Sequence, residues 1–330
     1  MVFKNVKMPK YFVLGSTIAA GFGVACLTKE WLGGLNYQGS DTAVAEGKVV
    51  IITGANTGIG KETAWELAKR GAKVYMACRD MKRCETAREE IVLNTKNKYV
   101  YCRKCDLASL ESVREFAENF KAREKKLDVL INNAGVMKTP KSKTKEGFEM
   151  QLGVNHMGHF LLTNLLLDRL KESAPSRIIN VTSVAHKSGK LQKDDLNSDR
   201  NYDSYGAYAQ SKLANVLFTK ELARRLEGTG VTANCVHPGI VDTEITRHMS
   251  FYNSWLATIF VKPLAWPFVK SPKQGAQSTI FLAIDKTVEK VTGKYFSNYE
   301  ESNVGENATN ESDAKWLWAT SEKWTRVSPK

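Results

Sequence analysis

At residues 48–53 the apolar run K-V-V-I-I-T passes directly into a glycine-rich turn, T-G-A-N-T-G-I-G (53–60), and a charged helical pattern, 59–70, follows at once. Few folds use that succession. An apolar run without polar alternation fits a strand buried on both faces. The glycines Gly54, Gly58 and Gly60 permit a sharp backbone path and remove side chains from it. A helix that starts there turns its unpaired amides toward whatever occupies the turn, which suits an anion. The unit is the opening of a βαβ motif shaped for the pyrophosphate of a dinucleotide. Asn56 and Thr57 offer further polar contacts, or cap the turn.

Strand-like runs recur at 73–78, 99–104, 128–132, 177–182 and 231–236, separated by helical runs near 82–94, 109–123, 147–171 and 206–227. This alternation predicts an α/β protein, a doubly wound parallel sheet of Rossmann type with helices on both faces. A helical pattern at 274–284 and K-Y-F-S near 294 extend it, so one catalytic domain is expected over 48–300. The polar stretch 300–313, with its N-A-T and N-E-S triplets, reads as exposed, and 301–330 as a C-terminal tail. No repeat beyond the alternation is visible.

Two segments stand outside the pattern. Residues 11–27 carry no charge, with Lys4, Lys7 and Lys10 before them and Lys29 and Glu30 after. Such a helix rises about 26 Å, near the lower limit for a roughly 30 Å hydrocarbon layer. Residues 1–35 therefore read as an uncleaved membrane anchor and 36–47 as a linker; a signal peptide and a buried N-terminal helix compete with that reading. Residues 249–270 hold many large apolar groups interrupted by Pro263 and Pro267. They fit a cover over an apolar substrate that also touches membrane lipid, or an ordinary packed crossover.

The 330 residues carry a formal charge of +13, which favours anionic partners. No zinc-finger spacing or aromatic RNA-binding signature accompanies it, so nucleic acid is not expected. Six cysteines at 26, 78, 84, 102, 105 and 235 are scattered through core-like elements, and a chain this long needs no disulfide staples. They are expected as reduced, mostly buried thiols, with the Cys102/Cys105 pair a coincidence and no metal site.

The second strand ends in Cys78 and Arg79, where an NAD site usually offers an acid to the ribose hydroxyls. Without the acid, nothing repels a 2′-phosphate, and Arg79 supplies a forked cation, with Lys61 assisting from the helix start. NADP(H) is the expected cofactor. Asp106, after the third strand, is placed to accept from the adenine amine, and N-N-A-G at 132–135 sets compact residues beside the cofactor. Downstream, Tyr208 and Lys212 lie one helical turn apart on one face. A phenol beside an ammonium can exchange a proton with an alcohol or carbonyl. Ser183, at a strand end, can hold the substrate oxygen; its neighbour Thr182 is separated from it only by strand alternation. Asn155 sits mid-helix, where its poor propensity fits a local opening that anchors a water leading from Lys212. His156 and His159 lack the further ligands zinc needs and read as structural.

These motifs resemble the short-chain dehydrogenase/reductase superfamily and, over residues 45–300, its retinol dehydrogenase 11-to-14 group. The specific matches are T-G-A-N-T-G-I-G-K (53–61), A-C-R-D (77–80), N-N-A-G-V-M (132–137), F-E-M-Q-L-G-V-N-H-M-G-H-F-L-L-T-N-L-L-L (148–167), Y-A-Q-S-K-L-A-N (208–215) and H-P-G (237–239). The resemblance implies a catalytic tetrad of Asn155, Ser183, Tyr208 and Lys212, with Ser183 chosen over Thr182. It also implies cofactor contacts from Ile59, Leu107, Asn133, Ala134 and Gly135, from Tyr208 and Lys212, and from Pro238, Gly239 and Thr243. The implied reaction is NADPH-linked reduction of all-trans-retinal, or the reverse oxidation of retinol. Steroids, fatty aldehydes or other lipophilic carbonyls remain alternatives, as does a non-catalytic dinucleotide sensor, which the intact tetrad disfavours. Members of the superfamily often pair through the helix that bears the tyrosine, so a homodimer is implied. The apolar start and linker resemble those of the group's mitochondrial member, which implies the mitochondrial inner membrane, with the endoplasmic reticulum membrane as alternative.

Overall fold

The structure, a computed structural model, describes residues 45–248 and 269–327. The expected anchor at 1–35, nearly all of the linker and most of the 249–270 segment lie outside the described residues. Among the described residues, no helix is long and apolar enough to cross a membrane.

Strand β1 (Val49–Thr53) leads through the glycine turn into α1 (Gly58–Lys69), then β2 (Lys73–Cys78), α2 (Met81–Thr95) and β3 (Val100–Lys104). Helix α3 (Leu110–Arg123) and β4 (Val129–Asn132) follow. A short helical turn and a π-turn (Gly153–Met157) then run into α4 (Gly158–Glu172) and β5 (Ser176–Val181). The second half holds α5 (Ser204–Arg225), β6 (Val231–His237), α6 (Pro272–Ile284), β7 (Tyr295–Ser297), β8 (Glu300–Glu301) and α7 (Glu311–Thr325). The strands lie in the order β3-β2-β1-β4-β5-β6-β7-β8. Winding reverses between β1 and β4, so a crevice opens above their carboxyl ends.

The sheet is not wholly parallel as expected. Strand β8 pairs antiparallel with β7, because residues 298–299 turn the chain back on itself with Asn298 and Tyr299 at positive φ. The core divides by face. Side chains pointing one way, such as Val50, Ile52, Val74 and Met76, pack with α1, α2 and α6. Those pointing the other way, such as Ile51, Leu130 and Ile178, meet α3, α4, α5 and α7.

Two further expectations fail. Residues 301–330 are not merely a tail: Leu317 and Trp318 of α7 are buried. The Trp318 ring lies 5.0 Å from Phe160 and 5.8 Å from Phe218, and Trp324 stacks on Phe148 at 5.6 Å. Ahead of α7, the Asn307 side-chain amide donates to His186 O (2.7 Å) and Gly189 O (2.5 Å), tying the segment to the turn after β5. The cysteines are not all free thiols either. Cys84 on α2 and Cys102 on β3 form a disulfide across a Cα separation of 5.9 Å, while Cys78, Cys105 and Cys235 are free and buried. The two meet because α2 lies over β2 and β3, which brings together positions 18 residues apart.

Candidate active site

The crevice floor is the β1–α1 turn. Helices α2, α3, α5, α6 and α7 each begin with a side chain capping a first-turn amide. At α1 the N-cap Thr57 is extended and makes no such bond, so the amides there face the crevice uncapped. Gly60 is required by packing: a Cβ on it would stand 2.4 Å from Gly54 O and 2.5 Å from Asn133 Nδ2. Gly58 has φ +54° and lies under Thr243, whose Cγ2 would be 3.1 Å from an added Cβ. Asn133 is itself held, its Nδ2 donating to Thr53 O at 2.9 Å. Gly54, Asn56, Thr57, Gly58, Ile59, Gly60, Arg79, Asp106, Leu107, Asn133, Ala134, Gly135 and Thr243 all line this crevice, as the sequence reading expects.

Arg79 is exposed at the crevice wall beyond β2. Its neighbour Cys78 is buried against the Ala55 and Asn56 amides, and burial pushes the thiol up to about 11. The position where an acid would stand is therefore neutral. Asp106 uses Oδ1 to accept from Ala108 N at 3.0 Å.

At the other end, Tyr208, Lys212 and Asn155 are buried, while Ser183 is half-buried. The Tyr208 hydroxyl faces the Ser183 side chain, which favours its ionised form. Ser183 Oγ accepts from Ala185 N at 3.2 Å, which leaves its proton available to another acceptor. Thr182 Oγ1 instead donates to Lys212 O at 2.9 Å, so it faces α5 and not the crevice. That geometry separates the two hydroxyls on physical grounds. Lys212 Nζ donates to Val181 O at 3.1 Å and lies 5.8 Å from the Tyr208 ring centroid. Gly135 is open toward it: an added Cβ would be 3.5 Å from Lys212 Nζ.

The electrostatics differ from expectation. Burial, not the lysine, dominates: it pushes the Tyr208 hydroxyl up to about 12, against the lowering by Ser183. The same desolvation pushes Lys212 down to about 8. The local helix opening expected at Asn155 is the π-turn Gly153–Met157. Its side chain is fully used: Oδ1 accepts from Val136 N (2.8 Å), and Nδ2 donates to Val136 O (3.0 Å) and Ser211 Oγ (2.9 Å). Asn155 therefore ties the N-N-A-G turn to α5 rather than offering its amide to a substrate.

The short chain dehydrogenase family matches residues 48–251, the stretch that holds the glycine turn and all four of these side chains. The chain belongs to the short-chain dehydrogenase family. It is 49% identical to human retinol dehydrogenase 13 over 96% of its own length and 95% of that protein. Identity with mouse retinol dehydrogenase 12 is 56%, over 83% of this chain and 85% of the relative. Among solved structures, the Pseudomonas aeruginosa RhlG/NADP active-site complex is 26% identical with a TM-score of 0.62, covering 78% of this chain and 97% of that one. Relatives and fold together make this an oxidoreductase.

In this short-chain dehydrogenase, one expected cofactor residue is otherwise engaged. Lys61 is drawn off by an ion pair with Glu90 on α2 and does not line the crevice. Its place on the fourth residue of α1 points it sideways onto the neighbouring helix. Pro238 and Gly239 follow β6 directly. A Cβ on Gly239 would be 2.9 Å from Lys270 Cδ, so its glycine serves the local bridge between Val241 and Lys270. Conversely, Arg83, Glu244 and Arg247 line the mouth without having been singled out. Arg83 pairs with Glu244. The i+4 spacing from Arg79 was a usable signal for Arg83; Glu244 and Arg247 come from a 3₁₀ turn with no sequence signature. Among the described residues no cluster of His, Cys, Asp and Glu could hold a metal ion.

Proposed function

We propose that the chain is an NADP(H)-dependent retinol dehydrogenase that interconverts retinal and retinol, mainly in the direction of all-trans-retinal reduction. One observation carries the reading: Lys212 Nζ lies beside Gly135, which lines the glycine-floored crevice, and 5.8 Å from the ring of Tyr208, whose hydroxyl faces Ser183. The uncapped α1 amides, Gly60 and Gly58 fit a pyrophosphate, and Arg79 beside the neutral Cys78 fits a 2′-phosphate. Ile59, Asn133, Ala134 and Gly135 would line the rest of the nucleotide's path. Bound there, the dihydronicotinamide supplies the hydride. Tyr208 donates its phenolic proton to the oxygen that gains charge, and Ser183 Oγ donates a hydrogen bond to the same oxygen. Lys212, through its ammonium, holds the charge that eases loss of the phenolic proton. Met137, Ala185 and Ala209 pack around Tyr208, while Val184 and Tyr205 are half-exposed near it. These surroundings suit an apolar carbonyl compound, and relatives carrying the name retinol dehydrogenase support a retinoid. Steroid and fatty aldehyde carbonyls fit the same apolar wall; a substrate panel ranked by kcat/KM decides among them, and a preference other than retinal would overturn the assignment.

Arg79→Ala tests the cofactor choice. It should weaken NADPH binding by about 1.5–3 kcal/mol, the worth of lost charge-assisted hydrogen bonds, and NADH binding far less. Dissociation constants for both cofactors check this, and equal losses would assign Arg79 to general attraction.

The proposed seat of the enzyme is a membrane, the mitochondrial inner membrane by likeness of the apolar start, held through residues 11–27. Deleting residues 1–35 should release soluble protein that keeps its turnover on a short aldehyde but loses activity on retinal embedded in vesicles. Protein that no longer folds or binds NADPH would make the segment core structure instead.

A further inference from the structure

His159, one turn beyond Asn155 on α4, is buried with both ring nitrogens engaged. Nδ1 lies 3.0 Å from Asn155 O, and Nε2 lies 2.8 Å from Thr53 Oγ1. A carbonyl oxygen can only accept, so Nδ1 carries the proton. Burial, aided by Lys212, pushes the imidazole down to about 4, which keeps it neutral and leaves Nε2 a bare acceptor. Thr53 Oγ1 must then donate to Nε2. Its lone pairs are taken by Asn133 N at 2.9 Å and Ala134 N at 3.0 Å. The one competing acceptor, Ile131 O, is farther away at 3.5 Å.

Each donor in this chain has a single direction, and the chain closes on itself. Thr53 fixes the Asn133 and Ala134 amides, His159 joins Thr53 to the Asn155 carbonyl, and the Asn155 side chain returns to Val136 N and O. Gly135, beside Lys212 Nζ, sits between the two clamped amides. We propose that His159 is a positioning residue, a neutral Nδ1–H imidazole that sets the spacing between the cofactor-side Ala134–Val136 turn and the Asn155 π-turn, and so aligns the nicotinamide path with Tyr208 and Lys212. The inference rests on the dehydrogenase reading above but makes one statement about the protein alone.

That statement is the tautomer. Nitrogen-15 NMR of the cofactor-free protein at neutral pH should show His159 as Nδ1–H; an Nε2–H ring would overturn the proposal whatever the enzyme reduces. The kinetic arm uses three variants. His159→Leu removes both contacts, His159→Asn keeps a donor near the Nδ1 position, and His159→Gln keeps an acceptor near the Nε2 position. For His159→Leu we expect kcat to fall about 10- to 100-fold, as misplacement by a fraction of an ångström does, with the NADPH Kd within about threefold of the parent. The primary isotope effect from deuterated NADPH should rise as hydride transfer becomes limiting. His159→Asn and His159→Gln should each recover part of the rate, and they carry the test if the leucine variant does not fold. Activity within about twofold of the parent in all three, or losses that follow only the folded fraction with an unchanged isotope effect, would reduce His159 to a core residue. A parent protein with the expected tautomer but no aldehyde reductase activity would instead sink the functional reading.

Discussion

Tyr208→Phe should cut carbonyl reduction by about 10²-fold or more while leaving folding and NADPH affinity almost unchanged. The substitution removes one oxygen from a ring that is otherwise packed by Met137, Ala185 and Ala209, so the hydrophobic contacts survive. What disappears is the phenolic proton that faces Ser183. The parent's pH dependence has a definite sign. Reduction needs Tyr208 protonated and Lys212 charged; with burial holding Lys212 down to about 8, reduction should be full below that pH and fall above it. Alcohol oxidation needs the phenol to lose its proton, and burial holds that group up to about 12, so oxidation should stay low through the range in which reduction falls. Profiles of kcat/KM against pH in both directions report these groups in the free enzyme. Near-parental turnover by the phenylalanine variant would remove Tyr208 from the chemistry.

Gly60→Ala should damage both stability and cofactor binding. Its Cβ would fall 2.4 Å from Gly54 O and 2.5 Å from Asn133 Nδ2. Neither can retreat cheaply, since Gly54 N is bonded to Ala77 O at 2.9 Å and Asn133 Nδ2 to Thr53 O at 2.9 Å. The turn must open, at a strain cost of about 1–3 kcal/mol in stability and a loss of about 10-fold or more in NADPH affinity. Gly58→Ala meets only the Thr243 side chain but must hold φ +54°, so a smaller loss is expected there. Thermal unfolding and cofactor titration of both variants check the order; a Gly60→Ala protein as stable and as tight as the parent would show that the turn is looser than its packing implies.

The sheet was legible because its strands are buried on both faces and read as continuous apolar runs, and β1 to β6 fall within a residue or so of the expected limits. The site was legible where chemistry is local. Tyr208 and Lys212 share a helix face, and the glycines share one turn. Contacts made across elements could not be read this way. Cys84 and Cys102 meet only once α2 lies over β3, and Lys61 could not be known to prefer Glu90 to a phosphate. Thr182 and Ser183 became separable through the bond from Thr182 to Lys212 O. Helix α7 had its own signal, Ala314, Leu317, Trp318 and Ser321 at helical spacing, but the polar stretch before it masked the change.

The tie at Asn307 reaches beyond folding. Its triplet, Asn307-Ala308-Thr309, is an acceptor sequence for N-linked sugar, and the nitrogen a glycan would occupy is the one donating to His186 O and Gly189 O. A sugar attached during entry into a secretory compartment would take one of the two amide hydrogens and stand where the turn after β5, the turn that begins at Ser183, must close. A glycan on Asn307 would therefore compete with the contacts that hold the turn after β5.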